Sequence, residues 1–332
     1  MKGVRGTLER VPSWIRFFAT RLLIGVGLLF TVAVLVFVLI QSVPGDPVRL
    51  LLSGDAGAPS EEAVEALSKE LGLDKPLLVQ FVNYIFGIFS GDLGTSFVHR
   101  APVLDLLVTR LPNTLEIVGF AAIISVVFGV LIGLVSAALS KKRSSGTVFS
   151  TLTSLGLSAP VYVLGTLFVF FVAVKWNLLP AGGFVSWSND PGRHIRLLVL
   201  PVITIAIGLT CIIARATRSS VLETRQQDWV RTSRALGHSP RRLWLQAVLR
   251  NSMTPVVTLI GLEVGVLIGS TVLVERVFNW PGLSSLLVDS VAKRDYPVIQ
   301  GVILLTAGIF IMINIIVDFL YRVLDPRARN GS

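Results

Sequence analysis

The chain has 332 residues, of which 52% are hydrophobic and only 15% are charged, and its formal net charge is +10. A soluble globular domain carries about 25% charged residues, so this composition argues against a soluble protein and favours a membrane protein. The single cysteine excludes an internal disulfide framework, and the three histidines lie in separate loops without the spacing of a metal site.

Six apolar stretches are long enough to cross a membrane, because a spanning helix needs about 20 largely apolar residues. The first is too long for the core of a signal peptide and no small-residue cleavage site follows it, so we predict that it is retained. The predicted spans are Leu22–Ile40, Ile117–Leu139, Leu152–Val174, Leu197–Ala214, Val256–Val274 and Val298–Val317. The sequence therefore predicts an all-α polytopic membrane protein with six transmembrane helices.

These spans divide the chain into five regions. We predict an N-terminal segment at residues 1–21, a first span within 22–43, a long loop at 44–116, a core of five spans at 117–320 and a tail at 321–332. The core includes an arginine-rich loop at residues 215–255.

Lysine and arginine residues are distributed unequally between the two sides of these spans. Nineteen of the 30 fall in the N-terminal segment, in the loops after the second and fourth spans and in the tail. Basic residues favour the cytoplasmic side, so we predict that both termini and the arginine-rich loop are cytoplasmic and that the long loop is extracytoplasmic. This topology accounts for the net charge, which therefore does not indicate nucleic-acid binding.

The long loop is predicted to form short helices of its own. Ser60 is a suitable N-cap for a helix that Gly72 can end in a left-handed conformation. A second stretch follows Pro76, and its 14 largely apolar residues are too few to span a membrane. We expect this second helix to lie in the interface, with Tyr84 and the neighbouring phenylalanines toward lipid or a partner.

The fifth span combines small residues with one carboxylate. Gly261, Gly265 and Gly269 are spaced four apart, which makes a smooth face for close helix packing. Glu263 lies on roughly the opposite face and should contact protein or a water-filled path. Two interpretations remain open for Glu263, a structural hydrogen bond to a neighbouring helix and a place on a substrate path.

The segment from Gln227 to Val257 has the pattern of a helix, a tight turn and a second helix. Gly237 can end the first helix, and Ser239 followed by Pro240 can start the second. A DNA-binding helix-turn-helix would need more soluble core than two flanking spans allow. An interfacial loop that binds anionic headgroups is a further alternative.

The last extracytoplasmic loop, Glu275 to Pro297, is predicted to contain a short helix capped by Asn279, with Pro281 near its first turn. The loop either covers the ends of the spans or forms an external gate. No phosphate-binding loop, H-E-x-x-H motif or cysteine cluster is present in the chain. We therefore expect no catalytic activity and no cofactor or metal site in this chain.

Nine motifs along the chain resemble the inner-membrane permease subunit of ATP-binding-cassette (ABC) importers, in particular the B-type subunit of the dipeptide, oligopeptide and nickel class. They occur in the family's order and cover nearly the whole chain: "RLLIGVGLLF", "VPGDPV", "LGLDKPLLVQFVNYI", "GDLGTSF", "LPNTLEI", "QDWVRTSRALG", "VERVFNWPGL", "RDYPVIQGV" and "DFLYRVLDPR". The resemblance implies a type I importer permease fold in a bacterial or archaeal inner membrane. It also implies a homologous second permease, two ATPase subunits that bind ATP and magnesium, and an extracytoplasmic substrate-binding protein.

The resemblance also implies roles for particular residues. The outer gate and contact with the binding protein fall on Glu275, Phe278, Pro281 and Gly282. The residues themselves make Glu263 a candidate for the translocation path, because its span is otherwise apolar and its opposite face is lined by glycine. The contact with the ATPase, through a coupling helix, falls on Trp229, Val230, Arg231, Thr232, Ser233, Arg234, Leu236 and Gly237. Within that helix we expect Trp229, Val230 and Leu236 to supply the buried contact and the arginines a charged rim.

Two features depart from the general family pattern. The segment before Arg21 is longer than usual, and Arg231, Thr232 and Ser233 stand where the generic coupling motif begins Glu-Ala-Ala. The expected cargo is a di- or oligopeptide, with a nickel chelate or an oligosaccharide as alternatives of the same class. A stand-alone secondary transporter and a structural membrane protein are the alternatives outside that class.

Overall fold

The computed structural model describes residues 13–43, 47–52, 60–70, 72–141, 143–239 and 242–324. Within these residues every regular element is helical, apart from one isolated bridge between Thr95 and Pro102. The α-helices are α1 (Ser13–Gln41), α2 (Pro47–Leu52), α3 (Glu61–Glu70), α4 (Leu77–Ser90), α5 (Val103–Ala138), α6 (Arg143–Ser158), α7 (Val161–Phe168), α8 (Pro191–Gln226), α9 (Asp228–Ala235), α10 (Leu249–Val277), α11 (Leu283–Ala292) and α12 (Tyr296–Leu324).

In the part of the chain that the structure describes, five helices are long and apolar enough to cross a membrane, namely α1, α5, α8, α10 and α12. The third predicted stretch differs from the others because it is divided between α6 and α7, with a bend of 93°. Pro160 lies at the break with extended backbone. Proline lacks an amide hydrogen and disfavours helical geometry at the preceding residue, so the helix stops there. Beyond α7 the chain continues as a π-helical turn, Val169–Lys175. The described residues contain six candidate spans if this bent pair is counted as one span.

The predicted ends of α3 are confirmed. The hydroxyl of Ser60 accepts a hydrogen bond from the Ala63 amide at 3.3 Å, and Gly72 has a φ of +68°. Helix α4 begins one residue after Pro76 and ends at Gly91, which is also left-handed. The helix start predicted at Pro240 lies outside the described residues.

The chain forms two compact units. The first comprises the described residues up to Pro112 together with Leu286–Ile315. In this unit α1 packs closely on α12 at Gly25. A Cβ added at this glycine would lie only 2.8 Å from the Ile311 side chain. Helix α4 turns Phe81 and Tyr84 toward Phe37 of α1, with ring centroids 5.2 and 5.8 Å away. Its other two phenylalanines remain exposed, so the prediction that all four rings face outward is wrong for half of them.

Two of the sequence motifs meet in this unit. Asp295, from "RDYPVIQGV", is buried and accepts hydrogen bonds from the hydroxyl of Ser96 at 2.5 Å and from the amide of Phe97 at 3.0 Å, both in "GDLGTSF". The Asp295 carboxylate therefore connects the loop before α5 to the start of α12 by hydrogen bonds.

The second unit comprises Asn113–Ser285 and the described residues after Ile315. Its centre is α8, the most buried of the candidate spans. Helices α5 and α8 approach closely at two glycines of α5. A Cβ added at Gly129 would lie only 2.7 Å from Ile213, and one added at Gly133 would lie only 2.6 Å from Thr217. Small residues of this kind allow spanning helices to pack without a large side chain between them.

Candidate functional site

The arginine-rich segment forms the helix, turn and second helix that its sequence predicts. Helix α9 ends in a Schellman motif, in which the Gly237 amide donates to the Arg234 carbonyl at 3.0 Å and the His238 amide donates to the Ser233 carbonyl at 3.3 Å. Gly237 has a φ of +81°. Such a backbone conformation suits glycine, since a Cβ there is strained. The predicted left-handed cap is confirmed.

Helix α9 is anchored to its own chain by Val230. This side chain is 0% exposed and packs with Leu243 and Val248, while Trp229 and Trp244 cover the cluster. The π-helical turn Leu243–Val248 leads directly into α10. Any displacement of α9 therefore acts on the base of α10 through a packed apolar contact.

A cation–π contact adds to this anchor. The guanidinium of Arg225, in the last turn of α8, lies 5.3 Å from the centroid of the Trp244 ring. The same group donates to the carbonyl of Ala137 at the end of α5, at 3.1 Å. Arg225 thus holds together the ends of α5 and α8 and the π-helical turn before α10. Arg225 could not be predicted from the sequence, because arginine in a basic loop has no distinctive spacing.

The outward face of α9 differs from the expected one. Leu236 is 74% exposed, and Arg231, Thr232 and Arg234 are exposed beside it. Trp229 is half-buried and its indole donates to the side chain of Gln227, whereas the Ser233 hydroxyl donates to the Trp229 carbonyl at 2.8 Å. Of the three apolar residues expected to face a partner, Leu236 is presented to solvent and Val230 is enclosed within the chain.

The glycines of α10 occupy different surroundings. A Cβ added at Gly261 would lie 2.4 Å from Val317 of α12, whereas one added at Gly269 would meet nothing within 4 Å. Gly265 is buried and Gly269 is exposed. The stripe is therefore a close-packing surface at one end and an open surface at the other.

Glu263 is half-buried on α10, between the exposed side chains of Leu262 and Val266. Among the residues that the structure describes, its carboxylate has no hydrogen-bond or ion-pair partner. None of the described residues therefore donates a structural hydrogen bond to this carboxylate, which is available to a partner chain or to a path.

The segment "VERVFNWPGL" folds back against "LPNTLEI" and is held there by hydrogen bonds. We call this hydrogen-bonded arrangement, which involves no threading of the chain, the knot. Glu275 is fully buried, with one carboxylate oxygen accepting from the Thr114 hydroxyl at 2.7 Å and the other accepting from the Ser285 amide at 2.8 Å. A Cβ at Gly282 would lie 2.2 Å from the Glu275 carboxylate. Only glycine therefore fits at residue 282 in this arrangement.

Two large aromatic residues complete the knot. The Trp280 indole donates to the Asn113 carbonyl at 3.0 Å, and the Phe278 carbonyl accepts from the Gly183 amide at 2.8 Å. Both side chains are buried. The predicted cap at Asn279 is wrong, because this residue is left-handed with a φ of +50° and the helix begins only at Leu283. Of the four predicted gate residues, only Pro281 retains part of its surface in this unit.

His194 lies beside the knot in a polar and aromatic enclosure that the sequence analysis did not anticipate. Its ring nitrogens lie 2.5 Å from the Val185 carbonyl and 2.9 Å from a Glu116 carboxylate oxygen. The same oxygen accepts from the Trp187 indole at 2.6 Å, and the Trp187 ring stacks on the imidazole at 4.3 Å. A carbonyl can only accept, so Nδ1 is a donor. In the sequence, the only indication of this enclosure was Glu116, the glutamate of "LPNTLEI". Within the described ranges no three histidine, cysteine or acidic residues are placed to hold a metal ion.

These features define a class of protein: a polytopic, all-helical transport permease with a short basic helix clamped to the base of a span. Residues 129–330 match the family described as "Binding-protein-dependent transport system inner membrane component", and residues 14–118 match its N-terminal counterpart. The chain belongs to this family and is a permease subunit of a binding-protein-dependent ABC importer, as its motifs indicate.

The chain is similar over nearly its whole length to curated permeases. It is 41% identical over 315 residues to "Glutathione transport system permease protein GsiC" of Salmonella choleraesuis (strain SC-B67), covering 95% of this chain and 99% of that protein. It is 40% identical over 315 residues to the protein of the same name in Escherichia coli (strain K12), with the same coverage. These relatives place the family in bacteria and its members in the inner membrane.

A solved structure shows the same fold. The inward-facing MetNI methionine ABC transporter superposes with a TM-score of 0.54 at 18% identity, covering 66% of this chain and 96% of that chain. The expected type I importer permease fold is thereby confirmed. The family as described depends on a binding protein, and ATPase subunits supply the energy of ABC importers.

Proposed function

We propose that this permease imports short peptides, including glutathione-like tripeptides. The observation that carries the proposal is the full-length similarity to permeases named for glutathione transport. A nickel chelate or an oligosaccharide is the alternative cargo within the class, and no feature of the described residues favours either.

The chain forms half of the translocation path, and a homologous second permease forms the other half. Two ATPase subunits bind ATP and magnesium outside this chain, which itself holds no cofactor and catalyses no reaction. The exposed, open part of α10 around Gly269 supports a second helical chain at this surface. Both termini and α9 are cytoplasmic, a topology supported by the distribution of lysine and arginine.

Helix α9 is the coupling helix in this proposal. Exposed Leu236 enters an apolar groove of an ATPase subunit, and Arg231 and Arg234 form the charged rim that sets the register. Trp229, Thr232 and Ser233 support the helix from its flank, while Val230 transmits its displacement to α10. The Schellman motif at Gly237 gives the helix the defined end that a force-bearing contact needs.

Glu263 accepts a cationic group of the substrate, such as a peptide amino group. Its half-buried carboxylate on an otherwise apolar stretch of α10 supports this role. The knot of Glu275, Phe278, Pro281 and Gly282 closes the extracytoplasmic end of the path. Because three of these four residues are buried in the chain, contact with a docked binding protein falls on the surface around the knot.

Uptake by the complete importer tests the cargo. Cells that express the permease with its partner subunits and binding protein are supplied with labelled glutathione, a dipeptide, a nickel chelate or an oligosaccharide. Peptide uptake that requires both ATPase subunits and the binding protein is expected. Mass spectrometry of the ligand that co-purifies with the binding protein identifies the natural cargo, and a non-peptide ligand would overturn the proposal.

A further inference from the structure

Two cavities lie one after the other along the same three helices of the first unit, α1, α4 and α12. One has a volume of about 420 Å³ and is lined by Gln41, Asn83 and Gln300 among other polar residues. The other has a volume of about 540 Å³ and is lined by apolar residues, including Leu23, Phe30, Ile88 and Leu304. The polar cavity is at the end of α1 that contains Gln41, and the apolar cavity follows toward the middle of that helix.

The polar cavity contains hydrogen-bonding groups that the protein leaves unused. The carboxamides of Asn83 and Gln300 make no side-chain hydrogen bond with another described residue. Tyr84 and Tyr296 also line this cavity, and their buried hydroxyl oxygens lack a partner among the described residues. Buried polar atoms are normally paired, so the two unpaired phenol oxygens indicate a missing ligand, and the exposed Asn83 and half-buried Gln300 carboxamides in the same lining can also bind it. Burial raises the pKa of Tyr84, which keeps its phenol a neutral hydrogen-bond donor.

The mouth of the polar cavity carries charges of both signs. Lys75 and Glu70 are exposed and belong to the same lining. An ammonium and a carboxylate at one opening match a ligand that has a phosphate and an amine, because each charged group then gains a charge-assisted hydrogen bond. A purely anionic headgroup would be repelled by Glu70.

The apolar cavity extends along α1 by about the thickness of one bilayer leaflet. Its lining on α1 runs from Leu23 to Ala33, which is about 15 Å at 1.5 Å per residue. The hydrocarbon core of a bilayer is about 30 Å thick, so each leaflet contributes about 15 Å. Gly27 lies in this lining, and a Cβ added there would meet nothing within 4 Å. The groove is therefore open along a length suited to an acyl chain.

We propose that α1, α4 and α12 form a binding site for one zwitterionic aminophospholipid. Its headgroup occupies the polar cavity, with the phosphate near Lys75 and the amine near Glu70, and one acyl chain occupies the apolar cavity. The site is independent of the cargo that the importer carries, and it fixes the short helix α4 to the two spans beside it.

Native mass spectrometry of the purified importer complex tests this site. The wild-type complex is expected to retain a phospholipid on this permease through extended detergent washing. After delipidation, it should bind added dioleoyl-phosphatidylethanolamine in preference to dioleoyl-phosphatidylglycerol. A wild-type complex that retains no phospholipid would contradict the proposal, and a preference for the anionic lipid would overturn the headgroup assignment.

Two variants and one matched control test where the lipid binds. Asn83→Ala combined with Gln300→Ala should weaken binding roughly 30-fold, the factor for two hydrogen bonds of ordinary strength. Gly27→Leu should abolish retention by filling the acyl cavity. Gly119→Leu is the matched control, because Gly119 lies in α5 outside these cavities and a Cβ there also meets nothing within 4 Å. The site is refuted if the head and tail variants retain lipid as well as this control, or if a cysteine at residue 27 cross-links to the second permease.

Discussion

Replacing Gly237 by valine should separate membrane insertion from coupling. A Cβ at this residue meets no atom within 4 Å, so the substitution creates no clash and acts only through the backbone. The φ of +81° is left-handed, which costs a residue with a Cβ about 1–2 kcal/mol. That cost lowers the population of the intact Schellman motif by a factor of roughly 5–30. Both hydrogen bonds that end α9 belong to this motif.

A series of substitutions at residue 237 varies how well this residue tolerates the left-handed conformation. Asparagine tolerates the left-handed region better than alanine, and valine tolerates it worst, so coupling should fall in the order Gly, Asn, Ala, Val. The assays are copurification of the ATPase subunits and substrate uptake, with membrane level as the control. Normal copurification and normal uptake for Gly237→Val would refute the assignment of this segment as the coupling site. An equal loss for Asn and Val would show that the backbone conformation is not the cause.

Three further predictions concern the path, the knot and the topology. Glu263→Gln should lower uptake of cationic substrates while assembly and basal ATP hydrolysis remain normal, and a failure to assemble would instead indicate a structural role. Gly282→Ala places a Cβ 2.2 Å from the Glu275 carboxylate and should destabilise the permease by about 1–3 kcal/mol, lowering its unfolding temperature in detergent; an unchanged temperature would contradict the described knot. In a Cys211→Ser background, an impermeant thiol reagent applied to intact cells should label Ser188→Cys but not His238→Cys, two exposed positions, and the reverse pattern would invert the topology.

Local features of this fold could be predicted from sequence because their causes lie within a few residues. Ser60 and Gly72 bound α3, and Gly237 ends α9, since capping depends on one hydroxyl or one left-handed residue. Hydrophobic length alone located the five long apolar helices of the described residues. The break at Pro160 was missed because spans often tolerate proline, and only packing decides whether a helix bends or stops.

The candidate sites were less predictable because they depend on distant partners. Nothing near Val230 in sequence shows that Leu243 and Val248 enclose it, so its burial within the chain could not be predicted. The enclosure of His194 joins it to Glu116, 78 residues away. The resemblance to a family placed Glu275 in a gate, but only the fold shows that its carboxylate is satisfied internally by Thr114 and Ser285.

The anchoring of α9 has a consequence for inhibitor design. The helix has eight residues, and an isolated peptide of that length is not stably helical in water. Its shape depends on Val230 in the cluster with Leu243 and Val248, and on its attachment to α8 through the single residue Gln227. A linear peptide copied from this segment would therefore compete poorly for the ATPase groove that we propose as its binding site. A useful mimic would need a chemical staple that replaces the buried valine contact and leaves Leu236 and the two arginines on the open face.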